Sequence, residues 1–254
     1  MMNIYDSIEK RTGGDIYIGV VGPVRSGKST FIKKFMEALV IPNILDAEKK
    51  VRTIDELPQS AAGRTVMTTQ PNFIPEQGVE IVLEECKNLK VRLVDCVGYM
   101  IKGAQGDLEE GKPRMVKTPW HKQAIPFEKA AEIGTQKVIQ EHSTIGIVLT
   151  TDIPRENYIQ AEEKVINQLK SLAKPFVVVV NSVTPTAPDV VKIAKQINEK
   201  FDVPAICANC LDLDKAAIEN ILSMALTQFP VKEISVTIPK WLAMQGLEFQ
   251  PKAQ

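Results

Sequence analysis

Apolar positions along the chain alternate between short β-branched runs and stretches of helical period. Residues 16–22 (IYIGVVG) form an apolar run that ends in glycine, which is typical of a buried strand. Phe31, Phe35 and Leu39 then recur at the four-residue spacing of one helical face, which predicts a helix over 28–40. The chain therefore opens as a strand, a glycine-containing turn and a helix.

The same alternation of strands and helices continues along the rest of the chain. Because parallel strands are buried on both faces, these apolar runs favour a mostly parallel sheet with helices on both faces. Strands 79–84 and 90–95 follow each other too closely for a parallel crossover, so they predict an antiparallel hairpin that turns at residues 86–88. The other predicted strands are 145–150, 176–181 and 203–208, and the other predicted helices are 127–141, 156–173, 188–200 and 213–228.

Two long stretches show neither the alternation of a strand nor the period of a helix. Residues 41–78 and 98–126 are rich in polar residues, glycine and proline, and both are too long to be simple connections, so they are predicted to be functional, switch-like loops. Residues 1–239 are expected to form one domain, with a last strand after Pro230. Residues 240–254 are interpreted as a tail or the start of a further domain.

Composition narrows the classes of partner and location. The 254 residues carry 31 Lys and Arg against 31 Asp and Glu, so the zero net charge argues against nucleic acid as a partner. Apolar runs are too short to cross a bilayer and the N-terminus does not resemble a signal peptide, so a soluble cytoplasmic protein without a transmembrane segment is expected. Cys207 and Cys210 form the one close cysteine pair; they are interpreted as reduced thiols rather than as a redox pair, and no metal cluster is predicted.

The strongest motif is the phosphate loop at residues 22–29 (GPVRSGKS), which fits G-x-x-x-x-G-K-[ST] and lies between a predicted strand and a predicted helix. Backbone N–H groups in such a loop face an anion at the helix N-terminus. Lys28 is expected to reach the β- and γ-phosphates, and the Ser29 hydroxyl is expected to bind Mg²⁺. The predicted nucleotide-binding residues of this loop are Gly22, Val24, Arg25, Ser26, Gly27, Lys28, Ser29 and Thr30.

A second motif supplies a carboxylate and a further backbone donor. The strand 90–95 ends in Asp95, predicted to act on the Mg²⁺ side, and the Gly98 N–H is expected to bond the γ-phosphate. Between the motifs, a loop threonine could complete the Mg²⁺ shell only when the γ-phosphate is present, and Thr65, Thr68 and Thr69 are available. This layout predicts an α/β P-loop NTPase of the GTPase-like (TRAFAC-type) class, with one antiparallel hairpin strand in its sheet.

The predicted base-reading segment departs from that of GTPases. GTPases carry N-K-x-D after a late strand, whereas residues 181–184 read NSVT, so Asn181 is kept as a nucleotide-binding residue while Thr184 replaces the guanine-binding carboxylate. Guanine specificity is therefore not expected. Tyr99 stands where many such switches have a water-orienting Gln, so the catalytic group must come from elsewhere. The candidates are Thr68, Thr69, Arg114 or another basic residue of the loop 98–126.

Several of these stretches together carry a family resemblance. The residues RTGGDIYIGVVGPVRSGKSTF, AAGRTVMTTQPNF, RLVDCVGY and PFVVVVNSV resemble the nucleotide-hydrolysing domain of the stage IV sporulation protein A family, the spore-coat morphogenetic ATPases of endospore-forming bacteria. The resemblance covers about residues 11–239. In that family a longer segment follows the residues that match 150–152, and further domains follow the region matched here.

The resemblance implies a Mg²⁺-dependent ATPase whose turnover drives self-assembly into the basement layer of the spore coat. It implies the mother-cell cytoplasm and forespore surface as location. The implied partners are further copies of the protein, a small amphipathic membrane-binding peptide and other coat proteins, the last two through domains outside this chain. Carried onto matching positions, Lys28, Thr68, Thr69 and Asp95 would be catalytic, with Ser29, Thr68 and Asp95 as the metal ligands.

Two other interpretations of the sequence stay open. The phosphate loop and the D-x-x-G motif are also compatible with a GTP-dependent switch, although Thr184 weakens that case. The third interpretation is a structural polymer subunit that binds nucleotide without hydrolysing it.

Overall fold

The computed structural model describes residues 15–58, 71–83, 86–101, 108–109, 112–153 and 155–229. A π-helical turn (Met36–Val40) and a short 3-10 turn (Ile41–Asn43) continue the first helix, and a second π-helical turn (Val138–His142) continues the third. In chain order the elements are β1 (Asp15–Val21), α1 (Lys28–Phe35), α2 (Ala47–Asp55), β2 (Asn72–Leu83), β3 (Cys86–Asp95), β4 (Leu108–Glu109), β5 (Lys112–Pro113), β6 (Met115–Thr118), β7 (His121–Pro126), α3 (Phe127–Lys137), β8 (Ile145–Thr151), α4 (Arg155–Ser171), β9 (Phe176–Asn181), α5 (Pro188–Phe201), β10 (Ala205–Ala208) and α6 (Lys215–Leu226).

The main sheet of the described residues has six strands in the order β10-β9-β8-β1-β3-β2. β1 is parallel to both β3 and β8, and β9 is parallel to β8 and β10, whereas β2 is antiparallel to β3. The predicted mostly parallel sheet with one antiparallel hairpin strand is therefore confirmed. Because the carboxyl ends of parallel strands meet at one edge, the loops after β1, β3, β8 and β9 collect there.

Alternate residues of the strands build two cores, one on each face of the sheet. On one face, Ile18 and Ile147 pack with residues of α1 and α6, including Phe31, Phe35 and Leu222, all of them fully buried. On the other face, Val148 and Val178 pack with residues of α4, α5 and the π-helical turn after α3, including Val165, Ile197 and Val138. Helices thus cover both faces, as the apolar strands predicted. No helix among the described residues is long and apolar enough to cross a membrane.

Three local predictions were wrong. Residues 41–78 are not one irregular loop, because they contain α2 and the first half of β2, and 98–126 contains the short strands β4 to β7. The helical period of α2 was hidden because Thr53 is its one buried residue, while Asp46 caps its N-terminus by accepting a hydrogen bond from the Lys49 N–H at 2.8 Å. The hairpin does not turn at 86–88, since β3 begins at Cys86.

β2 extends well before its predicted start at residue 79. Its residues 72–74 pair with the end of β3, in the register Asn72↔Asp95, and an irregularity in that register separates Ile74 from Val79. An inserted irregularity breaks the period-2 alternation that identifies a strand in a sequence. The partner strand, rather than the local pattern, therefore determines this part of the element.

Candidate functional site

Residues 22–29 turn sharply between the carboxyl end of β1 and the N-terminus of α1. Gly22 and Gly27 have φ values of 141° and 97°, a region that disfavours other residues. A β-carbon at Gly22 would lie 2.1 Å from the Leu149 carbonyl oxygen, and one at Gly27 would lie 2.4 Å from the Asn181 side-chain nitrogen. The loop therefore requires both glycines, and it places the unpaired N–H groups at the start of α1 beside it.

The other residues of the loop differ in exposure. Val24 is buried, with 2% of its surface exposed, and Ser26 is fully buried. Arg25 is exposed and holds a left-handed backbone conformation with φ of 63°. Ser29 and Thr30 lie in the first turn of α1 and are partly buried. The sharp curl of the loop thus rests on its backbone, with three of its residues at positive φ.

Lys28 is the first residue of α1 and is almost fully buried, with 5% of its surface exposed. Its ammonium donates a hydrogen bond to the Pro23 carbonyl oxygen at 2.6 Å, inside the loop. Burial lowers the pKa of Lys28, and the nearby Cys96 and Asp95 oppose that shift. A buried cation with neutral partners gains most from an incoming anion, since little water has to be displaced from it.

Asp95 is the last residue of β3 and lies opposite Val20 of β1, two residues before the phosphate loop begins. Burial raises the pKa of Asp95 to about 6, while Lys28, the Cys96 N–H and a hydrogen bond from the Ser29 hydroxyl hold it lower than burial alone would. The structure thus brings together Lys28, Ser29 and Asp95, three residues that the sequence predicted to share one site.

Two buried polar atoms in this region lack partners among the described residues. They are the Ser26 hydroxyl oxygen and Asp95 Oδ1. Buried polar atoms in folded proteins are nearly always hydrogen-bonded, so these two oxygen atoms are candidate contacts for a polar ligand. The Asp95 carboxylate and the Ser29 hydroxyl beside it also fit Mg²⁺, which is commonly held by one or two protein oxygens together with water and substrate phosphates. Among the described residues, here as elsewhere, no group of three or more His, Cys, Asp or Glu is placed to hold a metal ion.

Gly98 and Tyr99 close this site from the β3 side. Gly98 has a φ of 94°, and a β-carbon there would lie 2.2 Å from the Gly22 carbonyl oxygen and 2.6 Å from Lys28 Nζ. The Tyr99 N–H donates to the Gly22 carbonyl oxygen at 3.2 Å, and the Val24 N–H donates to the Tyr99 carbonyl oxygen at 2.8 Å. The D-x-x-G segment is therefore joined to the phosphate loop by main-chain bonds on both sides of Pro23.

The Tyr99 side chain faces away from this junction and packs against α4. Its hydroxyl donates to Gln168 Oε1 at 2.5 Å, its ring lies 4.9 Å from the Lys164 ammonium, and 4% of the residue is exposed. Burial raises the pKa of this phenol, so it stays protonated. A residue in this position of the fold is thereby a packing residue, which explains why the polar Gln of many switches is absent.

Arg114, the candidate for a catalytic arginine, lies over the ring of Phe127 at 5.0 Å, where α3 begins. Its carbonyl oxygen accepts from the Phe127 N–H at 2.8 Å. The sensor candidates Thr65, Thr68 and Thr69 lie outside the described residues, so their roles stay predictions. Because the threonines are outside the described residues and Arg114 packs over Phe127, the water-orienting group is unassigned.

We call residues 22–29 and 95–98 the phosphate end of the site, and residues 181–184 and 208–212 the base end. Asn181 connects the two ends. Its amide nitrogen donates to the Ser26 carbonyl oxygen at 3.2 Å, and its oxygen accepts from the Cys210 N–H at 3.0 Å. Asn181 therefore fixes the phosphate loop against the loop after β10. The GTPase pattern predicts Asn181 as a site residue, but no local pattern indicates its partner loop.

The sequence of the chain also matches a known protein family. Residues 1–230 match the family described as stage IV sporulation protein A, ATPase domain. The chain is 53% identical over 246 residues to stage IV sporulation protein A of Bacillus anthracis, covering 95% of this chain and 50% of that protein. It is 53% identical over 251 residues to the protein of Clostridioides difficile, covering 97% of this chain and 51% of that one. The chain belongs to the stage IV sporulation protein A family.

Membership of this family confirms the resemblance and the ATPase class of the domain. The fold also resembles the G domain of the T. maritima FeoB iron transporter, with a TM-score of 0.43 and 8% identity over 84% of this chain and 98% of that one. Since the chain spans about half the length of the curated relatives it matches, what those whole proteins do is a separate question.

Beyond the predicted residues, the structure reveals an ion pair at the same edge of the sheet. The guanidinium of Arg155, at the start of α4, binds the carboxylate of Glu162 through both terminal nitrogens and contacts the Thr150 hydroxyl at 3.3 Å. Glu162 is 1% exposed, so Arg155 supplies the partner that its buried carboxylate needs. The pair fixes the start of α4 to the carboxyl end of β8. Sequence reasoning missed it because the two residues are seven positions apart and each is ordinary alone.

Proposed function

We propose that this chain binds and hydrolyses ATP with Mg²⁺ and that turnover controls its assembly into the basement layer of the spore coat on the forespore surface. The observation that carries the catalytic part is the interaction of Asp95 with Lys28 and Ser29, together with the buried Asp95 Oδ1, which lacks a partner among the described residues. Family membership supports the assignment to sporulation. The assembly part of the proposal extends to this chain what the family resemblance implies.

In the proposed site, phosphate binding uses the backbone of residues 22–29 and the Lys28 ammonium. Ser29 and Asp95 would hold Mg²⁺, which supplies positive charge against the charge that develops on the phosphates. Because Lys28 is already buried, its interaction with a phosphate group is screened little by water. Gly98 lies beside Lys28, and its backbone N–H is the proposed further donor to the γ-phosphate.

Two further parts of the proposal concern the sensor threonines, which lie outside the described ranges, and the partners of the chain. Thr68 and Thr69 act as sensors of the γ-phosphate, with Thr68 joining Ser29 and Asp95 as a metal ligand. Self-association is the proposed partner interaction of this chain. The membrane-binding peptide and other coat proteins are assigned to regions of the family outside it, in the mother-cell cytoplasm.

The decisive experiment measures phosphate release from ATP and from GTP, with and without Mg²⁺, for the wild type and Lys28→Ala. We expect Mg²⁺-dependent release from ATP, weak release from GTP, and loss of at least about a hundredfold in Lys28→Ala. Lys34→Ala, a change of the same kind on the same helix, is the matched control and should retain wild-type turnover.

Assembly is followed by light scattering in the same samples. We expect assembly with ATP and little with a non-hydrolysable analogue. A clear preference for GTP would support the switch interpretation instead. Nucleotide-dependent assembly without phosphate release would support the structural subunit, and turnover without assembly would contradict the assembly half of the proposal.

A further inference from the structure

Two exposed apolar side chains lie on the joined loops of the base end. Val183 is 74% exposed and Leu211 is 60% exposed. Their loops are joined by the Ser182 N–H, which donates to the Ala208 carbonyl oxygen at 3.0 Å, and by the bond from Cys210 to Asn181. Single exposed apolar residues are common on any surface. Here each stands one residue beyond a junction that also holds the phosphate loop.

Polar groups around these two side chains are largely paired with one another. The Ser182 hydroxyl donates to Asp152 Oδ2 at 2.7 Å and accepts from the Thr184 N–H at 3.1 Å. Asn209 accepts from the Leu211 N–H at 3.0 Å and donates to Asp212 at 2.7 Å. These donors and acceptors are used within the protein, so a ligand here would gain mainly from apolar contact.

We propose that Val183 and Leu211 form an apolar clamp that holds the flat face of the adenine base of ATP. The inference rests on the proposed function, because it assumes that the nucleotide's phosphates occupy residues 22–29. Asn181 gives the continuity: one side chain contacts both the phosphate loop and the loop of Leu211. The clamp also lies after the carboxyl ends of β9 and β10, the edge at which open α/β sheets bind their ligands.

The same hydrogen bonds disfavour guanine. Guanine presents an oxygen at position 6 that needs a donor, and an N1–H and an amino group that need acceptors. The N–H groups of Thr184 and Leu211 are already bound to Ser182 and Asn209, and Thr184 offers no carboxylate. Guanine in the clamp would therefore leave its polar edge without direct partners from these groups, which costs affinity. Adenine has fewer such groups to satisfy.

The test compares binding of Mg-ATP, Mg-GTP and Mg-tripolyphosphate by calorimetry in Val183→Ser and Leu211→Ser. Tripolyphosphate carries the phosphate chain without a base. We expect each substitution to raise the Kd for ATP about tenfold and to leave the Kd for tripolyphosphate within about twofold. In the wild type, the Kd for GTP should exceed that for ATP by about tenfold.

Matched controls come from exposed apolar residues away from the site. Val191→Ser on α5 (49% exposed) and Leu172→Ser after α4 (41% exposed) make the same chemical changes and should bind all three ligands as the wild type does. All four positions are exposed, so folding should survive, and thermal unfolding of each variant verifies it.

The outcomes separate the clamp from the proposed function. Unchanged ATP affinity in both clamp variants, alongside loss of binding in Lys28→Ala, overturns the clamp and leaves the ATPase standing. Equal weakening of ATP and tripolyphosphate also overturns it, because the substitutions would then act on the phosphate loop. If the wild type binds no ATP, the proposed function fails first and the clamp with it.

Discussion

The phosphate end and the base end of the site differ in how their polar atoms are satisfied. At the phosphate end, the Ser26 hydroxyl and Asp95 Oδ1 are buried without partners among the described residues, and Lys28 is buried against carbonyl oxygens. At the base end, Asn181, Ser182 and Asn209 have internal partners. One end is therefore built to gain from a charged, oxygen-rich ligand, and the other is built to hold its own loops in place.

This contrast teaches where binding energy and selectivity would come from. An unpaired buried polar atom costs stability until a ligand arrives, so it favours occupancy strongly. A satisfied loop contributes little to polar binding, but it excludes ligands whose polar edge it cannot meet. On the proposed function, the phosphate end would therefore supply affinity, and the base end would supply discrimination between purines.

The largest expected effect is on turnover at the phosphate end. Asp95→Asn removes the carboxylate charge while keeping the size of the side chain, so Mg²⁺-ATP turnover should fall about a thousandfold. Because the buried charge is also removed, the unfolding temperature without ligand should not fall. Asp55→Asn, at the end of α2, is the control. Near wild-type turnover in Asp95→Asn would remove Asp95 from the phosphate end.

The second effect concerns Tyr99, whose backbone is bonded to the phosphate loop and whose side chain packs against α4. Tyr99→Gln should lower the free energy of unfolding by about 3 kcal/mol, because a buried ring and its hydroxyl bond to Gln168 are lost. Turnover should not rise, since the side chain at position 99 faces α4. Tyr99→Phe keeps the ring and should cost only about 1 kcal/mol. An increase in turnover for Tyr99→Gln would show that position 99 reaches the attacking water.

The third effect is a pH dependence of stability without nucleotide and Mg²⁺. The pKa of Asp95 is about 6 in the folded protein against 3.8 as its ordinary value, so the folded state holds this proton more tightly. Its contribution to stability is therefore full below about pH 4 and is lost as the pH rises through about 6, on the order of 3 kcal/mol in all. Denaturant unfolding across that range measures it. Asp95→Asn should flatten this component, and an unchanged slope in that variant would assign it to other groups.

The smallest effect tests the base end. Thr184→Asp restores a carboxylate where GTPases have one, so GTP affinity should improve about fivefold. ATP should still bind more tightly, because the Leu211 N–H remains bound to Asn209. Thr186→Asp, also exposed and two residues away, is the control. If Thr184→Asp bound GTP more tightly than ATP, the missing carboxylate alone would decide which base is bound. That result would contradict the role of the hydrogen-bonded loops of the base end in selecting the base.

Local patterns predicted the parts of the fold in which each element carries its own signal. β9 lies at Phe176–Asn181, where its apolar run placed it, and α5 ends one residue beyond its predicted end. Amphipathic period failed for α2, because a helix with one buried residue has no apolar stripe to detect. It also failed for the start of β2, whose residues pair with β3 across an irregular register.

For the candidate site, the sequence by itself determined the phosphate end. The glycines, Lys28 and Ser29 stand at spacings that a strand, a turn and a helix bring together, so local structure was sufficient for them. Asp95 was predicted from its motif at a strand end, and the pairing of β1 with β3 brings it to the site. Only the tertiary structure decided the base end. Asn181 meets Ser26 and Cys210, which are 155 and 29 positions away, and Ser182 meets Asp152 across 30 positions. Such contacts depend on the order of strands in the sheet, which no local pattern encodes.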